Sequence, residues 1–178
     1  MIYTQNYMSP LGNILLAADS EGLTGLWFEG QKYFGNGLTE SRSFSDSPAL
    51  SETKRWLDVY FSGKNPDFTP PLRPAGTPFQ KTVWNILLQI PYGETITYGE
   101  ISRRITGGQK MSAQAVGGAV GHNRISVIIP CHRVVGSNGS LTGYAGGIDK
   151  KIRLMELEQI DMSGFFVPKK GRALTYEI

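Results

Sequence analysis

The stretch from residue 63 to residue 76 constrains this chain more than any other, because Pro66, Pro70, Pro71 and Pro74 all fall within it. Proline lacks the amide hydrogen and clashes with the preceding turn, so this stretch cannot be the interior of a helix or a central strand. It is expected to be a linker that separates residues 1–76 from residues 77–178. A chain of 178 residues is long enough for two small domains, each with its own core.

The two halves carry different patterns. In the first, Asn13–Asp19 and Gly22–Phe28 are β-rich runs joined by the turn signal Ser20-Glu21-Gly22, which predicts a hairpin. Residues 35–46 read as loop. Ser47-Pro48 then reads as an N-cap with proline at the first helical position, opening a helix to about Phe61. In the second half, Thr77-Pro78-Phe79-Gln80 is a capping box, and Phe79, Val83, Ile86, Leu87 and Ile90 follow at helical spacing. Thr97-Tyr98-Gly99-Glu100 is a second capping box, opening a short helix that Gly107-Gly108 breaks. Ser112–Gly121 predicts another helix, Val127-Ile128-Ile129 a β run stopped by Pro130, and Ile148–Ile160 a final helix. The expected fold class is therefore α/β in the α+β sense. A small N-terminal mixed domain, with hairpin and helix, precedes a mostly helical C-terminal domain.

Two short helices joined by a glycine-containing turn, with Arg103, Arg104 and Lys110 beside them, predict a helix-turn-helix. Charge points the same way. Residues 1–76 carry a net charge of −2 and residues 77–178 a net of +5, within a total of +3. The basic half is where a polyanionic partner is expected. The apolar stretches Ile14–Ala18 and Val127–Ile129 are too short to span a bilayer, and no export signal opens the chain, so a cytoplasmic location is expected. One cysteine with two histidines makes neither a disulfide nor a closed zinc site, so no metal is expected.

Cys131 is the candidate nucleophile. A lone cysteine is most often a buried small hydrophobe, but this one follows a proline that ends a β run and precedes His132 and Arg133. Positive neighbours favour a thiolate, the reactive form, and an attached base needs a third group to orient it. Glu158, near the apolar face and the C-terminal end of the last helix, is a candidate for that group. A carboxylate there opposes the helix dipole and calls for a partner. The other reading of Glu158 is a surface residue. The pair Gly117-Gly118 with Gly121 lacks the spacing of a dinucleotide loop; in a recognition helix, glycines let the backbone approach DNA. Asn123 reads either as a C-cap or as a side chain orienting the active-site run.

These residues together resemble one family. Ile129-Pro130-Cys131-His132-Arg133-Val134 is similar to the active-site signature of the O6-alkylguanine-DNA alkyltransferases, also called methylated-DNA–protein-cysteine methyltransferases. Pro91-Tyr92-Gly93-Glu94 with Tyr98, Ala115-Val116-Gly117-Gly118-Ala119, Asn123 and Gly143-Tyr144-Ala145-Gly146-Gly147 agree in order and spacing. So do Ser9-Pro10-Leu11-Gly12 and Gly25-Leu26-Trp27-Phe28, so the resemblance covers nearly the whole chain.

The resemblance implies a ribonuclease-H-like N-terminal domain and single-turnover DNA repair without a cofactor, by a protein expected to be a monomer. Its partner would be double-stranded DNA bearing O6-alkylguanine, with O4-alkylthymine a second candidate. Cys131 would accept the alkyl group, His132 would take the thiol proton through water, and Glu158 would polarise His132. Asn123 would fasten the active-site turn. Tyr98 would press on the DNA backbone and donate to guanine N3. The carbonyls of Cys131 and Val134 would read the exocyclic amine, Ala145 N–H would face O6, and Val120 and Tyr144 would line the pocket. The Ser112–Gly121 helix, with Gln114, Ala115, Gly117 and Gly118, would enter the minor groove while the lesion base flips out. The family usually places an arginine where this chain has Gln114. The competing readings are a non-catalytic lesion-binding relative, a helix-turn-helix regulator and a cysteine hydrolase.

Overall fold

The structure is a computed structural model and describes residues 1–38, 42–108 and 112–168. It divides into two units. The first comprises Met1–Ala75 with Arg124–Ile128, the second Gly76–Asn123 with Ile129–Ile178.

The first unit is a four-stranded sheet with one helix. The strands are β1 (Ile2–Ser9), β2 (Gly12–Ala18), β3 (Leu23–Phe28) and β4 (Arg42–Ser43), in spatial order β3-β2-β1-β4. β1 and β3 flank β2 antiparallel, and β4 runs parallel to β1. The β2–β3 hairpin lies where the sequence predicts it. Its turn is held by the Asp19 carboxylate, which accepts the amides of Glu21 and Gly22. β1 escapes prediction because polar Thr, Gln and Asn interrupt its alternation, although it pairs with β2 along its length. The helix α1 (Pro48–Phe61) begins as expected at Ser47, whose side chain accepts the Leu50 amide. It buries Leu50, Thr53, Trp56, Leu57 and Tyr60.

The proline-rich stretch is neither helix nor central strand, as expected, but it is held: Leu23 N–H donates to Pro71 O at 2.8 Å and Arg73 N–H to Leu23 O at 2.7 Å, so it edges the sheet at β3. An edge tolerates proline because one row of its amides needs no partner. Val127–Ile129 are not a strand, although all three are buried. Leu26 N–H donates to Arg124 O and Ser126 N–H to Leu26 O, after which Ile128 N–H closes onto Ser126 O at 2.8 Å with Val127 at φ 71°. That is a three-residue turn, rare for a β-branched residue. The apolar run reflects burial rather than strand geometry.

The second unit is mostly helical. Helix α2 (Pro78–Leu88) starts at the predicted capping box, with both reciprocal bonds between Thr77 and Gln80 present. The two-residue β5 (Ile96–Thr97) pairs in parallel with β6 (Val134–Val135). Helix α3 (Tyr98–Thr106) is capped by Thr97 and stops at Gly107, which is left-handed at φ 70°. Only half of the second predicted box forms, because the Glu100 carboxylate turns to Arg103 and Arg104. Helix α4 (Ala113–Gly121) is capped by Ser112. Cys131–Arg133 form one 3₁₀ turn, α5 spans Ile148–Leu157, and a further 3₁₀ turn covers Met162–Gly164. Among the described residues no helix is long and apolar enough to cross a membrane.

Candidate active site

Cys131 opens the 3₁₀ turn immediately after Pro130 and is buried. Asn123 lies just beyond the C-cap residue His122 of α4. Its side-chain amide donates to Ile129 O at 2.7 Å and to Cys131 Sγ at 3.2 Å. The C-cap position falls to His122, so the side chain of Asn123 is left to hold the turn that carries Cys131.

Behind the cysteine lies a buried charge network. His132 Nε2 meets Glu158 Oε2 at 2.6 Å, with both side chains fully buried. Arg133 grips the same carboxylate with two donors, Nε to Oε1 at 2.8 Å and Nη2 to Oε2 at 3.1 Å, and its Nη1 donates to Ile90 O. Gly93 N–H adds a further bond to Oε1. Glu158 is the C-cap of α5, which ends at Leu157 rather than at the predicted Ile160. The partner that a carboxylate at that helix end calls for is Arg133. Burial alone would raise the Glu158 carboxyl, but its bonds to His132 and Arg133 hold it far below the usual carboxylate range. A fork-like guanidinium and a carboxylate make the strong, geometrically fixed form of such a bond.

The thiol is not primed in the way the sequence suggests. Burial pushes the Cys131 thiol up, and the Asn123 bond and the Lys151 charge, pulling the other way, do not reverse this. Burial likewise lowers the basicity of His132 against the opposite pull of Glu158. The resting pair is therefore a thiol beside a neutral imidazole. Arg133 is committed to Glu158, and the cation that acts on Cys131 is Lys151, which sequence reasoning missed. Lys151 is completely buried and donates to Val134 O at 2.6 Å and Thr142 O at 3.1 Å. Burial lowers its pKa to about 8. The available signal was its place one turn before Leu154 and Met155, a charge on the buried stripe of α5.

A cavity of about 370 Å³ opens in the same unit, and Cys131 is not among the residues that line it. It is lined by Tyr98 of α3, Ala113 and Gly117 of α4, and Gly136, Ser137, Asn138, Ser140 and Thr142 of the loop after β6. Tyr98 Oη lies 3.1 Å from Thr142 Oγ1. Of the predicted pocket residues, Val120, Val134 and Tyr144 are buried and Ala145 half-buried, but none is among this cavity's lining residues. Tyr144 instead meets His132 edge-on, with ring centroids 6.5 Å apart.

On α4, Gln114 and Ala115 are exposed, Gly117 buried and Gly118 half-buried, and a Cβ added at either glycine would meet nothing within 4 Å. No internal packing accounts for either glycine. Arg103 and Arg104 are exposed and paired with Glu100 at 2.8 and 3.4 Å. Lys110 lies outside the described residues. Among the described residues no three His, Cys, Asp or Glu gather as a metal site.

Comparison with known proteins places the chain in a family. Residues 2–74 match the ribonuclease-like domain of 6-O-methylguanine DNA methyltransferase, and residues 78–160 match its DNA binding domain. A methylated-DNA–protein-cysteine methyltransferase of Methanosarcina acetivorans is 46% identical over 160 residues, spanning 88% of this chain and 98% of the relative. One from Haemophilus influenzae is 40% identical, spanning 89% and 87%. The crystal structure of Mycobacterium tuberculosis OGT in complex with DNA superposes with a TM-score of 0.78 at 43% identity, covering 88% of this chain and 92% of that one. On these matches and on the order of its motifs, the chain belongs to the 6-O-methylguanine DNA methyltransferase family.

Proposed function

We propose that this protein repairs O6-alkylguanine in duplex DNA by moving the alkyl group irreversibly onto Cys131. The observation that carries this reading is the buried set Asn123–Cys131 and His132–Glu158–Arg133, with the amide of Asn123 on the sulfur.

The chemistry follows from the protonation states. Glu158 is ionised and accepts from His132 Nε2–H, so Nδ1 is the nitrogen left with a basic lone pair. His132 takes the thiol proton as sulfur attacks the alkyl carbon, through a water since adjacent side chains need not touch. The carbon–sulfur bond forms as the carbon–oxygen bond breaks, and the electron pair of that bond passes to the guanine. Tyr98, on the cavity wall, donates to N3 of the departing base. In a stacked duplex the alkyl carbon is shielded, so the base must leave the helix first. The surface of α4 supports this step, because its unpacked glycines give DNA close access to the backbone. A thioether has no reductive exit, so each molecule acts once. A monomer in the reducing cytoplasm suits a single nucleophilic thiol.

Mass spectrometry after incubation with duplex O6-methylguanine DNA tests the reading. The expected result is one methyl adduct per molecule, on the Cys131 peptide, with Cys131→Ser binding DNA but gaining nothing. Repeated turnover, or an adduct elsewhere, overturns it.

A further inference from the structure

The match to the DNA binding domain ends at residue 160, and the described structure extends to residue 168. After the 3₁₀ turn Met162–Gly164, the chain pairs with the loop that walls the cavity. Phe166 N–H donates to Gly139 O at 3.1 Å, and Leu141 N–H donates to Phe166 O at 2.8 Å. The side chains alternate as in a strand. Phe165 packs with Met162 and Ile160 against the buried cluster of Val135, Leu141 and Met155, whereas Phe166 is 47% exposed. Gly139 lies against Gly164 so closely that a Cβ there would come within 2.2 Å of the Gly164 carbonyl oxygen. The loop held in this way runs from Gly136 to Thr142 and supplies five of the residues that line the cavity. Its end, Thr142, meets the hydroxyl of Tyr98.

We propose that residues 162–166 are a strap that sets the shape of the base pocket, with Phe166 acting as a positioning residue through its backbone alone. The strap grips the back of the loop whose other face the flipped base meets, so substrate affinity depends on a segment that touches no substrate. The loop carries Gly136 and Gly139, which are poor at fixing their own conformation. The loop closes its own turn, with Gly136 N–H donating to Ser140 O and Gly139 N–H to Gly136 O, and the strap adds the pairing that holds this turn from behind. This inference rests on the proposed function, with the cavity walled by Tyr98 taken as the place where the flipped base enters.

Phe166→Pro removes the amide that Gly139 accepts, and Phe165 before it is already extended, as a residue preceding proline requires. Phe166→Ala leaves both backbone bonds in place. Loss of one such bond lowers the ratio of ordered to open loop about three- to tenfold. Phe166→Pro should therefore need more O6-alkylguanine substrate for half-maximal transfer, by a factor that reaches about three to ten where the open loop becomes the main form. Its maximal rate and its Cys131 reactivity toward iodoacetamide should stay near wild type, and Phe166→Ala should match wild type throughout. An unchanged substrate requirement in Phe166→Pro overturns the proposal. So does a parallel loss of transfer, iodoacetamide reactivity and melting temperature, which would mark a merely structural role. Hydrogen exchange on the wild-type protein tests the strap without a variant or a substrate. The amides of Leu141 and Phe166 should open together, and early exchange at Phe166 with Leu141 still protected overturns the pairing. Failure of the wild-type protein to transfer any alkyl group is a different result, since it rejects the function and leaves the strap to the exchange data.

Discussion

Gly118→Ala separates the needs of the fold from the needs of the ligand. Gly118 sits inside α4, half-exposed, and an added Cβ would meet nothing within 4 Å. Alanine in a helix interior is favoured over glycine by about 0.5–1 kcal/mol, because glycine gives up more backbone freedom on folding. For a chain of this size that is a rise in melting temperature of roughly 1–4 °C. Selection for stability alone would have placed alanine here. If the backbone of α4 lies against DNA, the new methyl intrudes into a close-packed interface, at a cost of about 1–3 kcal/mol. That corresponds to roughly fivefold to a hundredfold weaker binding. Thermal melting and fluorescence anisotropy with a labelled duplex give the two numbers. Transfer from free O6-methylguanine, which needs no helix docking, should be unchanged. A lower melting temperature would mean the fold itself requires the glycine. Higher stability with unaltered DNA affinity would mean that this face of α4 does not meet DNA.

Three further outcomes follow from the charge network and from α4. Arg133→Met leaves the Glu158 carboxylate buried without its fork, and chemical denaturation should register a loss of about 3–5 kcal/mol. Lys151 has a pKa depressed by burial to about 8 from an ordinary 10.5, so the unfolded chain binds more protons between those values and stability from this group rises with pH across them. The stability of wild type relative to Lys151→Met should therefore climb from about pH 8 to pH 10.5, by on the order of 3 kcal/mol, and a flat difference refutes the depression. Gln114→Arg places a planar cation at the exposed start of α4, and it should speed transfer from duplex DNA while leaving transfer from the free base unchanged. Equal effects on both substrates would remove Gln114 from the flipping step.

Local chemistry explains what the sequence made legible. Ser47, Thr77, Thr97 and Ser112 each cap a helix where they stand before one, because a cap is a bond between near neighbours. Cys131, His132 and Glu158 were legible from their setting and from the family pattern. What escaped depends on partners far along the chain. β1 is specified by its pairing with β2 more than by its own residues. Arg133 read as a neighbour of the thiol, yet its partner lies 25 residues away. Lys151 looked like one more charge on a helix rich in them, and only the packing of α5 against the 3₁₀ turn and the loop buries it. Val127–Ile129 show the converse error, since full burial produces an apolar run whatever the backbone does.

The return of residues 124–128 to the first unit also bears on the order in which the protein can be made. When residue 75 leaves the ribosome, the β3 backbone still awaits Arg124 and Ser126, whose bonds to Leu26 complete it. Those residues emerge only after α2, α3 and α4 have been synthesised. Domain-by-domain folding from the N-terminus, the usual course for a two-part chain, would leave this β3 edge unpaired until residues 124–126 arrive. The first unit cannot complete that pairing before α4 has been synthesised, and Cys131 is the third residue made after the closing segment.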